Sequence, residues 1–236
     1  SYLIGDQPVL TVLTDFKSPY AFVANELIWS LEARYNIEID WLPLSLNIAS
    51  FAGSATKSDK KTSTPSGNRS DRQWAVIRYA YMDARRYAEN QGLTLLGPKQ
   101  VWNSDLACVG LLWAKRQART RGQLKDFMDL CFERFFKRQF EVDSLDAVSG
   151  MLKQVGLSID GFVDFAASDG MAEHLELQER LLDKGCFGVP TFLVDNEVYF
   201  GREHLARVCW HLEGAKGDPP LKAYPWLGEE GSWKIT

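Results

Sequence analysis

Apolar and polar positions along the chain predict strands near its start, separated by a helix. An apolar run at 9–13 predicts the first strand. Apolar residues then recur at helical spacing from Tyr20 to Tyr35, and the alternation at 37–42 predicts a second strand. Strand, helix and strand in this order predict a parallel pair joined by a right-handed crossover.

The middle of the chain has helical periodicity throughout. Its stripes of Trp, Phe and Met are typical of a packed core rather than of cofactor contacts. Within it, Ser104 is the expected N-cap of a helix that runs to Gly122.

The strand pattern returns near the end of the chain. It predicts a strand at 191–195, a tight turn at 196–197, a returning strand at 198–200 and a last helix from Leu205 to Leu212.

Together these elements predict an α/β protein with a thioredoxin-like, four-stranded mixed sheet. A large helical domain is inserted between its βαβ and ββα halves. The predicted units are a thioredoxin-like domain at 1–50 and 185–213, a lid or loop at 51–72, an inserted helical domain at 73–184 and a C-terminal tail at 214–236.

Composition excludes several classes of function. The 236 residues are 45% hydrophobic, enough for a sizeable core, and the formal charge of -4 gives no electrostatic case for binding nucleic acid or an anionic membrane. No apolar run is long enough to span a bilayer. The four cysteines are widely spaced, without a Cys-x-x-Cys pair or a metal-ligand cluster, which fits free thiols in a reducing cytoplasm.

The first candidate for chemistry is Ser18, which follows the first predicted strand. Ser18 is a good N-cap and Pro19 suits the first helical position, so Ser18 is expected at a helix N-terminus. Free N–H groups and the helix dipole favour an anion or a thiolate there. From this stretch alone, a plain N-cap is the simpler interpretation.

Two motifs together make the site more specific. Asp-Phe-Lys-Ser-Pro-Tyr at 15–20 and Gly-Val-Pro-Thr-Phe at 188–192 resemble the DsbA-like group that contains 2-hydroxychromene-2-carboxylate isomerases and kappa-class glutathione transferases. The resemblance covers residues 8–213. Redox members of this fold begin the helix with Cys-Pro-x-Cys. Residues 18–21 are Ser-Pro-Tyr-Ala here, so both thiols of dithiol exchange are missing.

Three further stretches resemble the isomerases more than the kappa-class enzymes. They are the loop at 65–71, the aromatic-Asn-Ser at 102–104 and the segment at 200–204 before the last helix. The chain departs from the isomerase pattern with Lys17 in place of a hydrophobic residue, Arg202 in place of a small polar one and Glu203 in place of Asp.

The resemblance implies glutathione as cofactor. It implies that Ser18 stabilises the thiolate as the catalytic residue and that the Val189–Pro190 bond is cis, with its backbone pairing the cysteinyl unit. The implied cofactor-binding residues are Ser18, Asn68, Val189, Pro190, Arg202 and Glu203, and the implied substrate-binding residues are Arg69, Trp102 and Asn103.

Ordinary structural roles compete with several of these assignments. Arg202 and Glu203 also suit the charged first turn of a helix. Asn68 and Arg69 also suit a lid surface, and Trp102 also suits the core.

The implied function is glutathione-dependent cis-trans isomerisation of a conjugated aromatic or chromene carboxylate. One alternative is a kappa-like glutathione transferase, which shares the thiolate site. The other is a non-catalytic binding protein that kept the fold, with a pocket blocked by Arg202 or a lid folded over Ser18. The expected partner is a small aromatic carboxylate, and Trp226 and Trp233 in the tail are compatible with a homodimer.

Overall fold

The computed structural model describes residues 9–47 and 70–220. Its strands are β1 (Leu10–Thr14), β2 (Ile39–Pro43), β3 (Thr191–Val194) and β4 (Glu197–Phe200). Its helices are α1 (Pro19–Tyr35), α2 (Asp71–Asn90), α3 (Asp105–Gln117), α4 (Arg121–Phe136), α5 (Leu145–Gln154), α6 (Phe162–Ala167), α7 (Asp169–Asp183), a 3₁₀ turn η1 (Arg202–His204) and α8 (Leu205–Leu212).

The four strands form one mixed sheet in the order β2-β1-β3-β4. β1 runs parallel to β2, from the pair Leu10 and Ile39 to the pair Thr14 and Pro43. β3 is antiparallel to both β1 and β4. This arrangement confirms the predicted thioredoxin-like sheet, and it follows from the sequence because a helical crossover joins the parallel pair and a two-residue turn joins β3 to β4.

The sheet and the helices share one continuous apolar core. Every residue of β1 is buried, as expected for a strand covered on both faces. On α1, the ring of Phe22 stacks on Phe136 of α4 with centroids 4.8 Å apart, and it also stacks on Phe132. The aromatic stripe predicted as core therefore holds α4 against α1.

Three boundaries differ from the sequence prediction. The first strand begins at Leu10, because Val9 is exposed. The helix expected to reach Gly122 ends at Gln117, since the Thr120 hydroxyl accepts from the Gln123 N–H and caps a separate helix. The hairpin turn falls at residues 195–196, which have the positive φ values of 48° and 64° that tight hairpin turns require.

The carboxyl ends of β1 and β2 meet at one edge of the sheet. There the Leu44 N–H donates to the Thr14 carbonyl at 2.9 Å, and α1 begins a few residues beyond β1. The loop before β3 reaches the same edge, because Thr191 pairs with Leu13. This edge is where the motifs from the two ends of the chain converge.

Candidate functional site

Ser18 is the N-cap of α1, as the sequence predicts. Its backbone is extended (φ −84°, ψ 116°), and its Oγ accepts from the Ala21 N–H at 3.2 Å. Pro19 occupies the first turn, where its missing N–H costs no hydrogen bond. The Ser18 side chain is buried, so its hydroxyl lies in a desolvated position beside the positive end of the helix dipole.

The loop before β3 lies against Ser18. The Val189–Pro190 peptide bond is cis, as the resemblance implies. The Ser18 hydroxyl donates to the Val189 carbonyl at 3.5 Å, a contact between residues 171 positions apart in the chain. A distance of 3.5 Å is at the outer limit of a hydrogen bond, so the hydroxyl is held weakly and can turn to another acceptor.

Trp102 connects the helical insert to this site. Its carbonyl accepts from Lys17 Nζ at 3.3 Å, and its side chain is half-buried. Asn103 is exposed, and its Oδ1 accepts from the Asp105 N–H at 2.8 Å. Ser104 holds the N-cap position of α3 but makes no side-chain cap bond, so the predicted capping role belongs to Asn103. The reason is geometric, because Ser104 is buried with a ψ of 5° instead of the extended value typical of a capping serine.

Arg202 lies beside the first turn of α1. Its Nη2 pairs with Asp83 Oδ2 of α2 at 2.9 Å. The guanidinium lies between the rings of Tyr87 and Tyr20, at 3.7 and 4.8 Å from their centroids. Its Nη1 is buried and has no hydrogen-bond partner among the residues that the structure describes. Arg202 thus joins η1 to α2 through Asp83 and to α1 through Tyr20. Tyr20 lies two residues after Ser18.

Tyr20 keeps its proton at neutral pH. Burial first, and then the neighbouring Asp83 carboxylate, raise the pKa of Tyr20 to about 12. The phenol therefore remains a hydrogen-bond donor next to the Ser18 turn. Sequence reasoning missed Tyr20, Asp83 and Tyr87 as a group, because nothing in their local patterns shows that α2 meets η1.

Glu203 is exposed on η1 and is folded back toward the backbone of Gly201. A Cβ built on Gly201 would lie 2.4 Å from the Glu203 carboxylate, and the φ of Gly201 is +108°. The exposed Glu203 side chain could move away from such a Cβ, so it is the positive φ that favours glycine at this position. Asn68 and Arg69 lie outside the described residues, as does most of the predicted lid at 51–72.

We expect the ion pair between Arg202 and Asp83 to contribute to the free energy of unfolding. In a double-mutant cycle with Arg202→Met and Asp83→Ala, the coupling free energy of unfolding should be about 1 kcal/mol, because both side chains are largely shielded from water. The measurement is urea unfolding of the four proteins. Arg86 supplies the control: it pairs with the same Asp83 carboxylate, at 3.5 Å, but is 61% exposed. Arg86→Met should therefore show almost no coupling. Equal coupling free energies for Arg202 and Arg86 would contradict a specific stabilising role for the Arg202–Asp83 pair.

A buried polar network supports the segment after β2. The Asp105 carboxylate accepts from the Ser45 hydroxyl and from His174 Nε2, the latter at 3.1 Å. His174 is fully buried, and Gln178 Nε2 lies 3.2 Å from its Nδ1. The hydrogen bond from His174, with others from Ser45 and Asn103, holds the pKa of Asp105 well below its usual range. Ser45 bonds the carboxylate and not the imidazole, so this is not a nucleophilic triad.

All four cysteines are free thiols, and three of them are buried. Cys108 and Cys131 are buried, and burial raises the pKa of both thiols well above the ordinary value. Burial also raises the pKa of Cys186. A thiol with a raised pKa is a poor nucleophile at neutral pH. At the N-terminus of α1 the chain presents the Ser18 hydroxyl and not a thiol.

The described part of the chain has neither a metal-binding cluster nor a membrane-spanning helix. Within 9–47 and 70–220, no group of three His, Cys, Asp or Glu residues is arranged to hold a metal ion. None of the helices over the same ranges has the length and apolar character needed to cross a membrane.

Comparisons with known proteins identify the family of this fold. Residues 9–212 match the family model of the DSBA-like thioredoxin domain. The chain is 23% identical over 192 residues to a 2-hydroxychromene-2-carboxylate isomerase of Sphingobium xenophagum, covering 81% of this chain and 91% of that one. A solved 2-hydroxychromene-2-carboxylate isomerase superposes with a TM-score of 0.64 at 20% identity, over 88% of this chain and 99% of the other. A putative protein disulfide isomerase from Nitrosomonas europaea gives a TM-score of 0.63 at 15% identity, over 90% and 100%.

Proposed function

Because the chain belongs to the DSBA-like thioredoxin domain family, we propose that it is a glutathione-dependent isomerase of conjugated aromatic or chromene carboxylates. One observation carries the proposal: the Ser18 hydroxyl, at a helix N-terminus, lies 3.5 Å from the Val189 carbonyl of the cis-proline loop. The names of the relatives support an isomerase.

The residues present fit a thiol-bearing tripeptide. The weakly held Ser18 hydroxyl can turn from Val189 to donate to a sulfur, and the α1 dipole favours the thiolate form. When bound, glutathione would supply a thiolate that adds to the conjugated double bond, lets it rotate as a single bond and then leaves. Ser18 has no base within its described contacts, so its role is to stabilise the thiolate and not to attack the substrate.

Other groups extend the proposed cofactor site. The backbone of Val189 would pair with the cysteinyl unit in the manner of a one-residue strand addition. Arg202 has a buried Nη1 without a described partner, a donor that a carboxylate would satisfy. Glu203 would take the γ-glutamyl amine, and Asn68 would contribute from the segment before α2.

The substrate side of the proposal rests on Trp102 and Asn103, with Arg69 from the segment before α2. The Trp102 ring is half-buried and the Asn103 amide is exposed, so together they offer an apolar surface and a polar edge. An aromatic carboxylate has the same combination. We call Trp102 and Asn103 the substrate wall. These residues would orient the ring and its acid group, while Ser18 acts at the sulfur.

Product analysis tests the proposal. With 2-hydroxychromene-2-carboxylate as probe, the ring-opened isomer should form in the presence of glutathione while the total glutathione stays constant. S-methylglutathione, which lacks a free thiol, should give only the background rate. A stable conjugate with loss of glutathione would instead identify a kappa-like transferase, and a rate independent of glutathione would refute the thiolate mechanism.

A further inference from the structure

Lys17 is a buried cation immediately before the N-cap serine. Its side chain is only 5% exposed, in the loop between β1 and α1. Burying an ammonium group costs several kcal/mol unless partners compensate for the lost hydration. An apolar side chain would fill the same space without this cost. The buried ammonium of Lys17 therefore depends on the partners that it contacts.

Two groups compensate the charge, and they come from different parts of the chain. Lys17 Nζ lies 3.6 Å from Asp15 Oδ2 and donates to the Trp102 carbonyl at 3.3 Å. The Asp15 side chain is fully buried, and its carboxylate also accepts from the backbone N–H groups of Lys17 and Leu46, at 3.2 and 2.7 Å.

The pair therefore joins three segments at the edge of the sheet where Ser18 lies. Asp15 fixes the residues after β2 through Leu46, and Lys17 fixes the residues before α3 through Trp102. The Trp102 contact spans 85 positions of the chain. It connects the residue next to the thiolate stabiliser with the first residue of the proposed substrate wall.

We infer that Lys17 is a positioning residue that sets the distance between the thiolate site and the aromatic-carboxylate site. The inference rests on the proposed function and adds a specificity determinant to it. The contact with the Trp102 carbonyl needs a hydrogen-bond donor, so an apolar side chain of the same length cannot replace it. An arginine keeps the charge and the donors, and a methionine loses both.

Loss of the Lys17 contact should impair use of the aromatic carboxylate but not binding of glutathione. Without the Lys17 contact, Trp102 and Asn103 move relative to Ser18, while the Ser18 cap and the Val189 contact remain. Trp102 and Asn103 are binding groups in the proposal, so their displacement should weaken binding of the aromatic carboxylate and raise its KM. Binding of glutathione alone does not depend on the substrate wall, so it should hardly change.

The experiment compares Lys17→Met, Lys17→Arg and the exposed control Lys137→Met. In assays with 2-hydroxychromene-2-carboxylate, Lys17→Met should raise KM for that carboxylate about tenfold, and Lys17→Arg should restore most of the loss. The calorimetric Kd for glutathione should stay within about twofold in all three, because the cap and the cis-proline loop are unchanged. An unchanged KM in Lys17→Met, or an equal loss of glutathione affinity, would overturn the inference.

A second readout needs no turnover. The emission of Trp102 is obtained by subtracting the spectrum of a matching Trp102→Phe protein, and its quenching by acrylamide is measured in each background. Quenching of Trp102 should increase in Lys17→Met and stay near wild type in Lys17→Arg. Unchanged quenching would overturn the positioning role.

These two readouts separate the inference from the function it rests on. A wild-type protein that binds no glutathione refutes the proposed function, and the fluorescence then decides the Lys17 contact by itself. If Lys17→Met fails to fold because Asp15 is left as an unpaired buried charge, Asp15→Asn combined with Lys17→Met removes both charges. The same increase in quenching is expected in that double variant, and its absence would count against the inference.

Discussion

Replacing Ser18 with alanine is expected to lower glutathione-dependent kcat/KM by up to about 30-fold at pH 7, because a thiol with the free pKa of about 8.5 is only about 3% ionised there. The hydroxyl is buried at the start of α1, where little water is present to replace it. The rate should fall because less of the bound thiol is ionised at neutral pH. Steady-state assays between pH 6 and pH 9 test this, and the loss should shrink as the pH rises and the free thiol, with a pKa of about 8.5, ionises unaided.

The effect on folding has to be separated from the effect on the reaction. Loss of the cap to Ala21 should destabilise the protein by about 1 kcal/mol. Thr120→Ala removes an equivalent cap from α4 and provides the matched control for this cost. Ser30→Ala, on the exposed side of α1, controls for the loss of a hydroxyl from the same helix. Turnover that survives in Ser18→Ala at the level of these two controls would rule out the proposed role.

The second large effect is expected at Asp105. Asp105→Ala should lower the free energy of unfolding by about 2–3 kcal/mol, because it leaves the buried His174 and the Ser45 hydroxyl without their common acceptor. Asp146→Ala is the matched control, since Asp146 also lies in the first turn of a helix but is exposed. It should cost only the helix-dipole contribution of about 0.3–1 kcal/mol.

This stabilisation depends on pH with a defined sign. The folded pKa of Asp105 lies below its unfolded value of about 3.9, so the unfolded chain binds the proton more readily. The contribution is complete above the unfolded pKa and is lost as the pH falls toward the folded pKa. The difference in unfolding free energy between wild type and Asp105→Ala should therefore be constant near neutral pH and narrow below about pH 4. A difference that widens in acid would contradict this assignment.

Much of the site was accessible from the sequence because its parts are local. The strand end, Ser18 and Pro19 form a cap-and-proline signal that specifies a helix start by itself. The loop with Val189 and Pro190 was predicted from its resemblance to a family motif. Their meeting follows from the sheet order, since β1 and β3 are neighbours.

The long-range polar contacts could not be predicted in the same way. The resemblance implies a cofactor-binding role for Arg202, but the sequence does not show that its Nη2 pairs with Asp83, 119 positions away. Helical spacing indicates that Asp83 and Tyr87 share one face of α2. It carries no information about which element packs against that face. The contact of Lys17 with the Trp102 carbonyl is equally invisible, because the acceptor is a backbone atom present at every residue.

The predicted end of α3 was wrong because helical spacing and a local capping signal disagree after Gln117. The stretch after Gln117 retains helix-forming residues, so spacing alone favours one long helix through Gly122. The Thr120 cap starts a new helix there instead, and its hydrogen bond to Gln123 is a local interaction that a periodicity argument does not weigh.

A crystal structure of the chain soaked with glutathione tests the central assignment most directly. The sulfur is expected within hydrogen-bond distance of Ser18 Oγ, with the cysteinyl backbone paired to the main chain of Val189. Glutathione bound at another part of the surface, or with its sulfur turned away from the start of α1, would contradict it.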